Sequence, residues 1–460
     1  LRYTYPMLAI QLRAGTEYGR AASMSGKLFR RTLFVVLTTA SLYGCQKPTD
    51  SSLVAELNDG YWQAHITLPG GNVETGFEIS RNGDSHRASL INGQERVQVD
   101  EVRFTDGELT LRFPGFNTTI KAQLLNDELR GDLTLVKQFG STQLMPFVAT
   151  LGSEATPESG ISPNRDLSGR WAVTFHGAES DDSTYIGEFA QRGARLLGTF
   201  LHPNGDYRFL AGHVRGNNFH LSTFDGAHVY IFSGQVNEEG KIVNADFWSG
   251  TSWHQNWSGI RNERAALPDA FQRTFLNPSY DRFEFEFPNE DGVMISIDDE
   301  KYRDKVVIVT VAGTWRPNCN DEARFLAPFH KKYRDDGLEI VALLFEHFDD
   351  ADLAAQQARN FKQKFDIEYD TLIAGISDKT EAAKTLPALS AVLAFPTTIF
   401  IDRAGQVRQI HTGFVGPGAG EHYVSLQNSF TELTTTLLAE SSEEATTDMT
   451  PADSETAENN

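Results

Sequence analysis

The chain has 460 residues, 40% hydrophobic and 11% aromatic, with a net charge of −21 at pH 7 and two cysteines, Cys45 and Cys319. That length exceeds one ordinary domain and points to about three. The acidic balance argues against a nucleic-acid binder, which needs Lys and Arg to neutralise phosphates, and the cysteine count excludes a disulfide-stapled scaffold and disfavours a Cys-ligated zinc site.

Lys27, Arg30 and Arg31 precede an apolar run from Thr32 to Leu42. A basic segment followed by about 7–15 apolar residues reads as a secretory signal peptide, too short to span a bilayer comfortably. The signal covers 24–44 and opens at Met24. Residues 1–23 do not fit a signal and read as an extension from a misplaced start. The run ends in Leu42-Tyr43-Gly44-Cys45, which resembles a bacterial lipobox. The resemblance implies cleavage before Cys45 and lipidation of its thiol, and Gln46 after it implies sorting to the outer membrane. The alternative is an ordinary signal with an incidental cysteine. A lipidated Cys45 and a polar linker, 45–56, predict an extracytoplasmic protein anchored to the membrane on its periplasmic face.

Residues 57–150 contain short alternating runs broken by Gly, Asn and Asp, as strands joined by tight turns require. Examples are Tyr61–Ile66, Glu108–Phe113 and Thr119–Leu124. Residues 167–265 repeat the plan: Gly60-Tyr61-Trp62 answers to Gly169-Arg170-Trp171 at an offset near 110 residues. Such an offset is domain-sized rather than solenoid-sized. The linker between the two, 151–166, is rich in Ser, Pro, Glu and Gly. Two all-β modules, sandwich or barrel-like, are therefore expected. The second carries Phe247, Trp248, Trp253 and Trp257, read either as core or as a ligand-stacking face. Its His213, His220, His228 and His254 lack ligand spacing, so no metal is expected.

From residue 277 to 438 strands alternate with helices, the mark of an α/β sheet. Lys305–Val311 and Leu338–Phe345 read as buried strands, and Asp321–Arg334 and Asp352–Phe365 as helices. Thr371–Ala374 is short and extended. Asp378 opens the next helix, with a carboxylate cap and Glu381 three residues on. Thr397–Ile401 and Val407–Thr412 form a hairpin, and Glu421–Leu438 is the closing helix. The principal order is βαβαββα. Residues 439–460 form an acidic tail: from Glu440 onward there are seven acidic residues and no basic one, and such a segment reads as disordered.

Val311 to Ala323 reads Val-Ala-Gly-Thr-Trp-Arg-Pro-Asn-Cys-Asn-Asp-Glu-Ala. It resembles the active-site segment of the TlpA/ResA branch of thioredoxin-like proteins, in the redoxin (AhpC/TSA-like) superfamily. That family carries Trp-Cys-Pro-x-Cys at a strand-to-helix turn. Phe395-Pro396-Thr397-Thr398 resembles its cis-proline loop, and Gly413–Gly416 lies before the last helix. The resemblance implies a thioredoxin fold and a thiol–disulfide oxidoreductase acting on protein thiols or disulfides without a cofactor.

It also implies that Cys319 holds the resolving position beside Trp315 and Pro317. Pro396 then faces it, and Arg316 replaces the attacking cysteine. Thiol–disulfide exchange needs an exposed thiolate as nucleophile, and arginine cannot serve. Three readings stay open. The domain is a non-catalytic binding or scaffold module docking through Arg316 and the Pro396 loop, with Thr397 and Glu322 as binding residues. Or Cys319 acts as a monothiol, its thiolate favoured by the helix dipole. Or oxidoreductase function persists in another form. Glu322 is expected either to pair with Arg316 or to be a solvated helix residue.

Overall fold

The computed structural model describes residues 56–137, 140–152, 161–177 and 185–440. The signal segment, Cys45 and the tail from 441 lie outside them. Among the described residues no helix is long and apolar enough to cross a membrane.

Nine antiparallel strands between Gly60 and Leu151 follow one another around a single curved sheet. The first, Gly60–Leu68, pairs with the last, Thr142–Leu151. The ladder is open only between Glu95–Gln98 and Glu101–Thr105. Strands between Gly169 and Arg261 make a second meander. In it, Tyr185–Arg192 pairs with both Gly169–Phe175 and Arg195–His202, and Gly169–Phe175 pairs with Trp253–Arg261, so the ring closes. Closure removes the free strand edges that invite aggregation. Both modules are thus barrel-like, one partly open. The sandwich alternative falls away, because successive strands pair with their neighbours within one sheet.

The two modules open with the same local device. Gly60 and Gly169 sit at φ 130° and 105°, which glycine alone adopts readily. Two residues on, Trp62 and Trp171 fill the barrel cores. Each indole N–H donates to the carbonyl four residues back, Asn58 at 3.1 Å and Leu167 at 2.9 Å, which satisfies the buried nitrogen. In the second barrel Phe247 and Trp257 are core residues, whereas Trp253 is exposed. Trp248 packs against the core of the first barrel and stacks on His254.

The C-terminal domain has the strands β1 (Val306–Ala312), β2 (Leu338–Glu346), β3 (Asp370–Ile376), β4 (Thr397–Ile401) and β5 (Val407–Thr412). Its helices are α1 (Pro317–Tyr333), α2 (Ala351–Phe365), α3 (Lys379–Thr385) and α4 (Glu421–Ala439). The sheet order is β3-β2-β1-β4-β5. The β1–β2 and β2–β3 pairs are parallel, and β1–β4 and β4–β5 antiparallel. This is a thioredoxin fold. Every residue of β1 is buried, as expected for a central strand covered on both faces. The short run at 371–374 is a full strand and the helix expected after Asp378 is present, capped by that carboxylate, so the complete order is βαβαβαββα rather than βαβαββα. Helix α1 begins four residues before the expected Asp321. Pro317 takes its first position, where the missing N–H costs nothing.

One side chain ties the three parts together. Arg208, from the second barrel, is buried. Its guanidinium pairs with Glu95 of the first barrel and Asp321 of α1, and lies 3.6 Å from Asp225 of its own barrel. Burial pushes Glu95 and Asp321 up, against the pull of Arg208. Burial also raises Asp225, but the His228 ring and Arg208 outweigh it and hold that carboxyl below the usual range. Removing one partner of a buried ionic group costs about 3–5 kcal/mol. Arg208→Met should lose about that much stability at pH 7. The loss should shrink at pH 5, where the orphaned carboxyls take up protons. Urea denaturation at both pH values checks this, and equal losses would contradict an ionic role.

Candidate functional site

The site grows from the end of β1. Gly313 passes so close to the Trp315 ring and the Phe345 carbonyl that a Cβ there would lie 2.3 Å from one and 2.8 Å from the other. Trp315 donates its indole N–H to Phe345 O at 2.9 Å and stacks on His347. Arg316 is the residue before the first helical position, with an extended backbone and a side chain that caps nothing. Asn320 braces the turn by donating to Thr314 O at 2.8 Å and Arg316 O at 2.9 Å. Pro317 is buried under the turn.

Cys319 lies in the first turn of α1 and is 1% exposed. Burial pushes its thiol well above the usual range. Arg316 opposes the shift and Glu322 reinforces it. The expectation that the helix dipole would yield a lone thiolate therefore fails. A dipole contributes about 0.3–1 kcal/mol near a surface, and here desolvation of the charged form is the larger effect.

Glu322 meets neither expectation. It is buried rather than solvated, and it does not pair with Arg316. Instead its carboxylate accepts from the hydroxyls of Thr310 on β1 and Thr398 on β4. The β1–β4 pairing sets Thr310 opposite Thr398, so one carboxylate staples two strands to the helix. Burial pushes Glu322 up to about 7, against the two hydroxyls. Glu346, at the end of β2, is a second such group. It accepts from the N–H and hydroxyl of Thr314 at 3.0 and 2.8 Å and is likewise raised to about 7 by burial. Sequence reading missed Glu346. Its signal was a carboxylate closing the apolar run 340–345.

The Phe395–Pro396 peptide bond is cis. Pro396 O accepts from Gly413 N at 2.9 Å. Thr397 is not a binding residue facing outward: it is fully buried and donates to Ala394 O at 2.9 Å. The sheet thus brings Trp315, Pro317, Cys319 and Glu322 to one end of the fold with the Pro396 loop. Among the described residues no group of three or more His, Cys, Asp or Glu is placed to hold a metal ion.

A cleft of about 1250 Å³ lies between the first barrel and the C-terminal domain. Thr314, Pro317, Asn320 and Asp321 line it.

Residues 281–410 match the model of the AhpC/TSA family. The chain is 31% identical over 120 residues to the thiol-disulfide oxidoreductase ResA of Bacillus thuringiensis, covering 26% of this chain and 60% of that protein. It is 29% identical over 130 residues to the thioredoxin-like protein YneN of Bacillus subtilis, covering 28% of this chain and 68% of that one. Among solved structures, a putative thiol:disulfide interchange protein DsbE from Chlorobium tepidum is 20% identical. That likeness covers 35% of this chain and 99% of that one, with a TM-score of 0.27. The family match lies within the C-terminal domain, and the barrels lie outside it.

Glu322 and Glu346 ionise near pH 7 when folded and near 4.5 when unfolded. Their burial therefore lowers stability progressively as pH rises from about 4.5 to 7. Glu322→Gln removes one of the two titrations. It should raise stability at pH 8 relative to its effect at pH 5, seen as a flatter pH profile of the thermal midpoint. An unchanged profile would mean that Glu322 is not buried as an acid.

Proposed function

We propose that this is an extracytoplasmic, lipid-anchored thioredoxin-like protein of the thiol–disulfide oxidoreductase kind that binds protein partners without completing dithiol exchange. The observation that carries this reading is the state of Cys319: it is 1% exposed and held protonated by burial. Exchange starts with attack by a thiolate and needs a second thiol to resolve the mixed disulfide. Arg316 occupies the place from which attack would come. No other cysteine exists between Gln46 and Asn460. A lipidated Cys45 is spent.

The relatives named for disulfide chemistry support protein thiols or disulfides as the ancestral substrate class. The chain spans about 60% of the ResA relative, so the activity of that whole protein is not carried over. The monothiol alternative loses support from the burial of Cys319.

A disulfide-reduction assay with insulin and dithiothreitol tests the reading. The chain should reduce insulin no faster than its Cys319→Ser variant, and a clear excess over that control would overturn it. For the anchor, Cys45→Ser should move the protein from the membrane fraction to the soluble one. Unchanged membrane association would contradict lipidation at that residue.

A further inference from the structure

The turn that carries Arg316 and Cys319 is covered by another part of the same chain. Residues Pro203 to Arg208 form the tip of the second barrel beyond the strand Arg195–His202. This tip lies across the start of α1 and the 413–418 loop. Gly205 forms a parallel β-bridge with Phe414. Asp206 Oδ1 accepts from Asn318 Nδ2 at 2.9 Å and from Gly416 N at 2.8 Å. Asn318 Nδ2 also donates to Phe414 O at 3.0 Å. At one end of the tip Arg208 pairs with Asp321. At the other, Arg273 donates to Pro203 O at 2.8 Å and Asn204 Oδ1 at 2.9 Å.

The approach is backbone to backbone, and glycines on both sides permit it. A Cβ on Gly205 would lie 2.7 Å from the Asn318 amide and 2.9 Å from Phe414 O. One on Gly413 would lie 2.8 Å from the Asn204 main chain, and one on Gly418 2.8 Å from that of Arg208. Gly205 and Gly413 also sit at φ 145° and 85°, where other residues are strained.

Arg316 belongs to the same contact. Its charge acts on His202, Tyr207, His228 and Tyr230 at the barrel mouth. Its Nε is buried without a hydrogen-bond partner. The residue in the attacking position therefore addresses the barrel.

We propose that Pro203–Arg208 is a built-in occupant of the docking face of the thioredoxin-fold domain, so that the surface around Arg316 and Phe414 binds this chain's own second barrel and is closed to other polypeptides. An extended peptide joins a fold by main-chain pairing, with side chains fixing the register. The tip does this through Gly205 and Asp206. Binding of outside partners then falls to surfaces elsewhere on the chain. The inference concerns access and stands apart from the reading of the thiol chemistry.

The test places a reporter thiol at the covered position: Arg316→Cys in a Cys45→Ser, Cys319→Ser full-length chain, alkylated with iodoacetamide. Native labelling should be at least about tenfold slower than in urea, because it requires local opening. Adding Gly205→Leu and Asp206→Ala should restore most of that rate while circular dichroism stays native. A reporter labelled natively as fast as in urea overturns the proposal, as does a folded tip variant in which it stays slow. If the tip variant does not fold, hydrogen exchange of the Gly416 amide in the unsubstituted chain decides. Protection supports the contact, and exchange at the rate of a free loop overturns it. None of these outcomes depends on whether Cys319 turns over insulin.

Discussion

A single buried guanidinium holds this architecture in register. Arg208 meets carboxylates from each barrel and from α1, which are far apart in sequence. A buried cation is stable only when its charge is answered, and each buried carboxylate only when it has the cation or a set of donors. The requirement is mutual, so the parts specify one another's positions. Replacing the whole cluster, cation and carboxylates together, by apolar side chains would cost little by the same reasoning. Its value lies in fixing where the barrel tip meets the helix.

That placement governs the chemistry. In a thioredoxin fold the start of the helix after the first strand is where a thiol can be both exposed and ionised. Here that position is a part-buried arginine turned toward the barrel, and the remaining thiol sits a turn deeper beneath it. Desolvation then sets the protonation of Cys319, and the nearby Glu322 adds to it. In the proposed reading, an arginine in place of the attacking cysteine and coverage of the face are consistent parts of one arrangement: a site not used for exchange can serve as an interface.

Much of the C-terminal fold was legible in the sequence, because a central strand such as Val306–Ala312 is apolar except for Thr310 and the flanking helices carry period and caps. The twin barrels were visible as alternation and in the paired Gly-x-Trp starts, though alternation alone does not separate a barrel from a sandwich. Other features were not legible. Arg208 and Asp206 look like ordinary turn residues until the chain returns more than a hundred residues later to supply Asp321 and Asn318. Glu322 misled because a glutamate near a helix start is ordinarily solvated, whereas the two threonines that hold it come from β1 and β4. Thr397 was named as a binding residue from motif likeness, yet β4 is buried along its whole length.

The account turns on whether the lone thiol can be reached while the protein is folded. Incubating the native chain with oxidised glutathione, followed by intact-mass and peptide analysis, tests this directly. The account predicts no glutathione adduct at Cys319 in the native state and a ready adduct once the chain is unfolded. An adduct at Cys319 formed under native conditions at the rate of an exposed thiol would contradict it.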